Sequence, residues 1–353
     1  MEVLRALRHW FAPTIDAFVA PALLFTYRWR LLTLQPIVLL TYSLKCLPWL
    51  FSNAFDVILI PTRRLNQPLR AIVFHPPCRT SDERPLRPIH LDIHGGAFLG
   101  GLPEFDADFC QRLSRETGGV VISTQYRYSP RHIFPAAHED IEDVSKWLVQ
   151  HAEKRWGADP KVLTVSGFSA GANLALAVSQ MGGGMFKWPS QTAVKGCVTF
   201  CAPVDLRLKP AEKPKPANYP KQDPLFFLQP LFDSYVARTR PASINNPILN
   251  PILAPISDLP PKILLVTPTI DILLDEQLKF AERLKEDVQR ETEDGANAVR
   301  REVQIMLFED CMHAWLELPS FLIDEKTREK AFKTAIEFIK DVHREHGWNN
   351  RGA

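Results

Sequence analysis

The segment Gly167-Phe168-Ser169-Ala170-Gly171 sets a serine between two glycines, where a strand-like run (LTVS) gives way to an alanine- and leucine-rich one (ANLALAV). Such a G-x-S-x-G turn from strand to helix exposes the hydroxyl above a sheet. The following helix aims its first N–H groups at the point where negative charge develops during acyl transfer. Glycines suit the flanking positions because strand and helix nearly touch there. A serine needs a base, an orienting carboxylate and oxyanion donors before it is a useful nucleophile. In this arrangement the chain order is Ser, then Asp or Glu, then His. After the apolar run 262–267 the sequence PTIDILLDE offers Asp271 and Asp275, and after 303–308 the sequence EDCMHAW offers His313. Earlier, residues 89–93 lead into His94-Gly95-Gly96-Ala97-Phe98, where glycines let backbone N–H groups approach a substrate oxygen.

These groups need a frame. Short apolar, β-branched runs at 57–60, 71–74, 89–93, 120–124, 162–166, 194–200, 262–267 and 303–308 read as strands. Helical stripes separate the later ones: Ile141, Val144, Trp147 and Leu148; Leu174, Ala175 and Val178; Leu278, Ala281, Leu284 and Val288. A last stripe, Phe332, Ala335, Ile336, Ile339 and Val342, follows the final run. Alternation of this kind predicts an α/β fold, a mostly parallel sheet with helices on both faces. The first two runs lack an intervening helix and suit an antiparallel edge. Residues 203–261 hold 13 of the 30 prolines. Proline lacks the N–H a sheet ladder needs, so this stretch reads as an insertion, a lid or pocket wall.

Composition excludes several functions. Charged residues make up 23% of the 353 and the net charge is only +2, with no basic block for nucleic acid. The six cysteines form no CxxC and no zinc-ligand spacing, so reduced thiols in an intracellular protein are expected. Residues 31–55 carry one charge, Lys45, but Pro36 and Pro48 interrupt them and the longest uncharged run is 14 residues. A spanning helix needs about 20. Two uses remain for this segment, helices covering a pocket or a segment lying in a membrane interface. The expected organisation is an N-terminal apolar segment over residues 1–60, then a catalytic domain over 61–353 with the proline-rich insertion at about 205–260.

From about residue 89 to the C-terminus the sequence resembles the hormone-sensitive-lipase family of α/β-hydrolases. HGGAF, YRYSPRHIFPAA at 126–137, DP at 159–160, GFSAGANLA at 167–175, IDILLDE at 270–276 and MHAW at 312–315 carry the resemblance together. It implies an α/β-hydrolase fold with a cap over the active site. Ser169 would be the nucleophile, His313 the base and Asp271 its orienting carboxylate, Asp275 matching the family's second acidic position. The N–H groups of Gly96, Ala97 and Ala170 would form the oxyanion hole, with Gly95 permitting the turn. No metal or organic cofactor is implied.

The sequence departs from the family in four places. Ala97 stands for a third glycine, Phe168 for the usual Asp before the serine, Gln125 for the Asp of DYR, and Gln277 for a glycine after DE. The loss of two acids suggests a rewired polar network and a more apolar pocket floor. The expected reaction is hydrolysis of a small or medium apolar carboxylic ester, as by a carboxylesterase or deacetylase. The alternative is acyl transfer, elimination or cyclisation on a biosynthetic intermediate at the same site. A non-catalytic binding protein is the third reading, and the presence of all three catalytic residue types argues against it. The expected location is cytoplasmic or peripherally membrane-associated, with an endoplasmic-reticulum type anchor as in some relatives.

Overall fold

Strands buried on both faces read as continuous apolar runs, and the runs above assemble into one sheet. The computed structural model describes residues 2–77, 85–180, 193–223, 226–293, 300–313, 315–318 and 323–350. Among these, eight strands occur: β1 (Asp56–Ile60), β2 (Leu69–Phe74), β3 (Arg87–Ile93), β4 (Val120–Thr124), β5 (Ala158–Phe168), β6 (Gly196–Phe200), β7 (Lys262–Ile270) and β8 (Glu302–Met312). Their order is β1-β2-β4-β3-β5-β6-β7-β8. β2 pairs antiparallel with both β1 and β4, and the other neighbours are parallel. The register sets Ile93 beside Gly167, Phe168 beside Phe200, and Phe200 beside Val266. The carboxyl ends of the central strands therefore come level, which is where open α/β sheets bind ligands.

The helices are α1 (Glu2–Trp10), α2 (Ala12–Val19), α3 (Phe25–Leu50), α4 (Ala107–Thr117), α5 (Ala136–Trp156), α6 (Ala170–Val178), α7 (Gln229–Phe232), α8 (Arg240–Ser243), α9 (Leu274–Glu293) and α10 (Glu325–Glu345). Alternate strand residues feed two cores. Leu91, Val165 and Leu265 face α5, α6 and α9, while Ile72, Val198 and Val266 face α4 and α10. Glycines in left-handed conformation stop two helices, Gly118 after α4 (φ 71°) and Gly157 after α5 (φ 59°). Asp324 caps α10 by accepting from the N–H groups of Lys326 and Thr327.

The N-terminal segment forms α1 to α3 and then enters the sheet, since β1 begins at Asp56 inside the 1–60 stretch. Pro36 and Pro48 lie within α3, whose parts Phe25–Leu40 and Ser43–Trp49 meet at 57°. Among the described residues no single helix is long and apolar enough to cross a membrane. The proline-rich stretch contains α7, α8 and short 3-10 turns, with no strand among its described residues. Leu31 and Leu23 of the N-terminal segment pack with Leu228 and Leu231 of that stretch and with Leu99 beyond β3. Trp29 stacks on Phe227 at 6.4 Å, and the Arg30 Nε donates to the Phe227 carbonyl.

Candidate active site

Ser169 occupies the turn between β5 and α6 with φ 49° and ψ −116°, a backbone conformation that L residues rarely adopt. The flanking glycines are required sterically. A Cβ on Gly171 would stand 1.9 Å from the Ile93 carbonyl oxygen, and one on Gly167 would stand 2.2 Å from the Gly171 oxygen. The turn is locked to the sheet by the Ser169 N–H, which donates to the Phe200 carbonyl at 2.7 Å. Phe168 lies on the far face, stacked on Phe200 at 4.2 Å.

The structure brings Ser169, His313 and Asp271 together from three strand ends. Ser169 Oγ is 2.8 Å from His313 Nε2, and His313 Nδ1 is 2.8 Å from Asp271 Oδ2. Asp271 is buried, and its other oxygen accepts from the Leu273 N–H at 3.0 Å. Desolvation pulls the His313 pKa down, but the Asp271 charge and hydrogen bond, helped by Glu317, outweigh it, so the pKa is raised. Asp275 is not part of this group. It lies in the first turn of α9 and pairs with Lys279 at 2.8 Å.

The loop after β3 runs close to the serine turn: a Cβ on Gly95 would lie 3.1 Å from the Phe168 carbonyl oxygen. Gly96 (φ 111°), Ala97 (φ 53°) and Phe98 (φ 59°) form a tight left-handed turn after β3. A Cβ on Gly96 would be 2.1 Å from the Gly100 oxygen. Among the described residues nothing accepts from the N–H groups of Gly96, Ala97 or Ala170. The Tyr126 hydroxyl donates to the carbonyls of His94 and Gly95 at 3.1 Å, and its ring stacks on His94 at 4.6 Å. These contacts hold the Gly95 carbonyl on the Tyr126 side.

Two neighbours of the site lie in or just after the IDILLDE motif, but their partners carry no local sequence signal. Gln277 accepts from the Ala202 N–H at 3.1 Å and the Thr267 hydroxyl at 3.0 Å, and donates to the Leu273 carbonyl at 3.1 Å. One side chain thus ties β6, β7 and the Asp271 loop. Glu276 accepts from the N–H groups of Val204 and Asp205 and pairs with the buried Lys213 of the proline-rich stretch. Burial raises the Glu276 pKa to about 7 in spite of that partner.

The surroundings include buried acids: Asp92, Asp106 and Glu317. A Cβ on Gly95 would lie 2.3 Å from Glu317 Oε1, an oxygen with no hydrogen-bond partner among the described residues. Burial raises the pKa of Glu317, and Lys45 of α3 and His313 pull it back. Lys45 also donates to the Leu316 carbonyl at 3.4 Å.

Among the described residues one group of side chains has metal-ligand proximity: donor atoms of Cys201, Asp271 and His313 lie within 4.8 Å of one another. His313 and Asp271 already bond each other there, so a cation would compete with that hydrogen bond. The described cysteines, Cys46, Cys110, Cys197, Cys201 and Cys311, are thiols; Cys78 falls outside the described residues.

A family model for the alpha/beta hydrolase fold matches residues 90–317, well over half of the sequence. The chain belongs to this family. This α/β-hydrolase is 39% identical over 133 residues to arylacetamide deacetylase of Oryctolagus cuniculus, covering 35% of the chain and 31% of that protein. It is 32% identical over 113 residues to esterase LipI of Mycobacterium tuberculosis, covering 32% and 34% respectively. The match therefore spans about a third of the length of these curated relatives. Among solved structures, the hyperthermophilic esterase of the archaeon Pyrobaculum calidifontis has a TM-score of 0.64 at 25% identity, covering 94% of this chain and 98% of that one. The metagenomic carboxylesterase EstE1 has the same score and identity, covering 86% and 96%.

Proposed function

We propose that this α/β-hydrolase is a serine carboxylesterase or deacetylase acting on a small or medium apolar ester. The observation that carries the reading is the pair of 2.8 Å contacts joining Ser169, His313 and Asp271 at a strained nucleophile turn. His313 Nε2 takes the Ser169 proton as Oγ attacks the ester carbonyl. Asp271 holds the ring in the tautomer with hydrogen on Nδ1 and stabilises the imidazolium. The oxyanion is received by the N–H groups of Gly96, Ala97 and Ala170, and each such donor is worth about 3 kcal/mol in the transition state. His313 then protonates the leaving alkoxide, and water resolves the acyl-enzyme by the reverse path.

The contact of α2 and α3 with residues 226–232, over Ala97 and Leu99, supports these segments as the cap. Leu and Phe dominate the contact, which favours an apolar acyl or alcohol group. Phe18, Phe25 and Phe51 of the N-terminal segment are 68%, 77% and 73% exposed, which supports a seat in a membrane interface for its outer side.

The test is hydrolysis of p-nitrophenyl esters from acetate to palmitate, with Ser169→Ala in parallel and a fluorophosphonate label on both. Turnover and labelling in wild type, with Ser169→Ala slower by about 10⁶-fold and unlabelled, are expected. Labelling without turnover of any ester would redirect the reading to transfer, elimination or cyclisation at the same serine. Absence of both would overturn it.

A further inference from the structure

Between α1, α2 and the β1–β2 edge lies a cavity of about 650 Å³ that the chemistry above does not use. Its wall carries five arginines, Arg5, Arg8, Arg64, Arg70 and Arg131, and a single carboxylate, Asp16. Asp16 is engaged by Arg131 at 2.6 Å, and Arg70 spends both terminal nitrogens on the buried Glu104. Among the described residues no carboxylate lies within ion-pair distance of Arg8 or Arg64. The positive field acts on its neighbours. His132 on the same wall has its pKa brought down to about 4, first by burial and then by Arg127, Arg64 and Arg131.

On two residues that line this cavity, only 4% and 8% exposed, a buried atom lacks a partner among the described residues: Arg70 Nε and Gln125 Oε1. Buried N–H donors in native proteins nearly always find an acceptor. The Gln125 amide, turned over, presents its NH₂ at the same wall, because its two ends are interchangeable in shape. A carboxylate there would repel an anion, and the amide does not.

We propose that this cavity binds a phosphate-type anion, with Arg8 and Arg64 as charge partners and Arg70 Nε and Gln125 as buried donors. Guanidinium groups pair with phosphate oxygens through parallel N–H bonds, so two uncommitted arginines match a dianion. The phosphate is either a small soluble one or a lipid headgroup, and the chemistry is common to both. The site lies close to the oxyanion turn: His9 of the wall is 2.5 Å from the Tyr128 hydroxyl, which donates to the Gly101 carbonyl at 2.6 Å.

The full chain is titrated calorimetrically with inorganic phosphate at low ionic strength, and floated with phosphatidylcholine vesicles with and without phosphatidic acid. Arg8→Ala, Arg64→Ala and Gln125→Asp are compared with Lys154→Ala, an exposed α5 cation that does not line the cavity, and circular dichroism checks folding. Saturable phosphate binding that weakens about tenfold or more in the cavity variants, and not in Lys154→Ala, supports a soluble ligand. Flotation that requires phosphatidic acid and fails in the same variants supports a headgroup. Absence of both overturns the proposal, as does binding that survives replacement of Arg8 and Arg64 together.

Discussion

At the strand ends, a methyl on Gly167 or Gly171 would meet backbone atoms closer than 2.5 Å, and the Ser169 N–H is held by a neighbouring strand. Above them, α2 and α3 meet residues 226–232 through leucines, phenylalanines and one tryptophan stack, with few backbone hydrogen bonds between them. The first region is specified by backbone sterics between residues adjacent in sequence or in the sheet. The second is specified by packing of interchangeable apolar groups from distant segments. The difference teaches that the backbone around Ser169 leaves little room for substitution, while the packing of α2 and α3 on residues 226–232 leaves more; on the proposed function, that second region is where ester preference would diverge.

Substitutions in the two regions should therefore fail in different ways. Asp271→Asn removes the charge that fixes the His313 tautomer, and kcat for ester hydrolysis should fall about 10⁴-fold with the fold intact. Gln277→Ala strands the Ala202 N–H and the Thr267 hydroxyl, and urea denaturation should show a loss of about 2–4 kcal/mol. Phe227→Ala, in the covering region, should change KM across the acyl series by about tenfold at most and leave kcat on acetate nearly unchanged. A large kcat loss there would erase the distinction between the regions.

Glu317→Gln should have the smallest effect. On the proposed function His313 acts as base only when neutral, and its pKa is raised above the ordinary 6.5, with Glu317 one of the raising charges. Activity accordingly falls as pH drops through that raised pKa. Removing the Glu317 charge should move the acidic limb of the kcat/KM profile to lower pH, without displacing the plateau.

The strands were legible because each is an apolar run longer than chance and closed by turn residues, and the antiparallel edge followed from a missing helix. Ser169, Asp271 and His313 stand out because each follows such a run in a fixed order. α4 carried a weaker signal. Its buried residues Phe109, Cys110 and Leu113 form a short stripe diluted by polar neighbours after a glycine- and proline-bearing loop. Gln277 stood out as a departure beside the DE motif, though its contacts did not; Glu317 and Lys45 were not legible as neighbours of the site, since they are reached only through tertiary contact. Pro36 and Pro48 suggested breaks in a helix that in fact runs through both, with its 57° bend falling between Leu40 and Ser43 instead.

The pairing of α3 with residues 226–232 also fixes an order of events during synthesis. Arg30 must wait for a carbonyl 197 residues later in the chain. At about 5–20 residues per second, the ribosome takes roughly 10–40 s to deliver it. Throughout that interval the leucines and aromatics that finally meet residues 226–232 lack that part of their cover, with the Leu99 contact available, and a chaperone or a bilayer surface is a natural shelter for them.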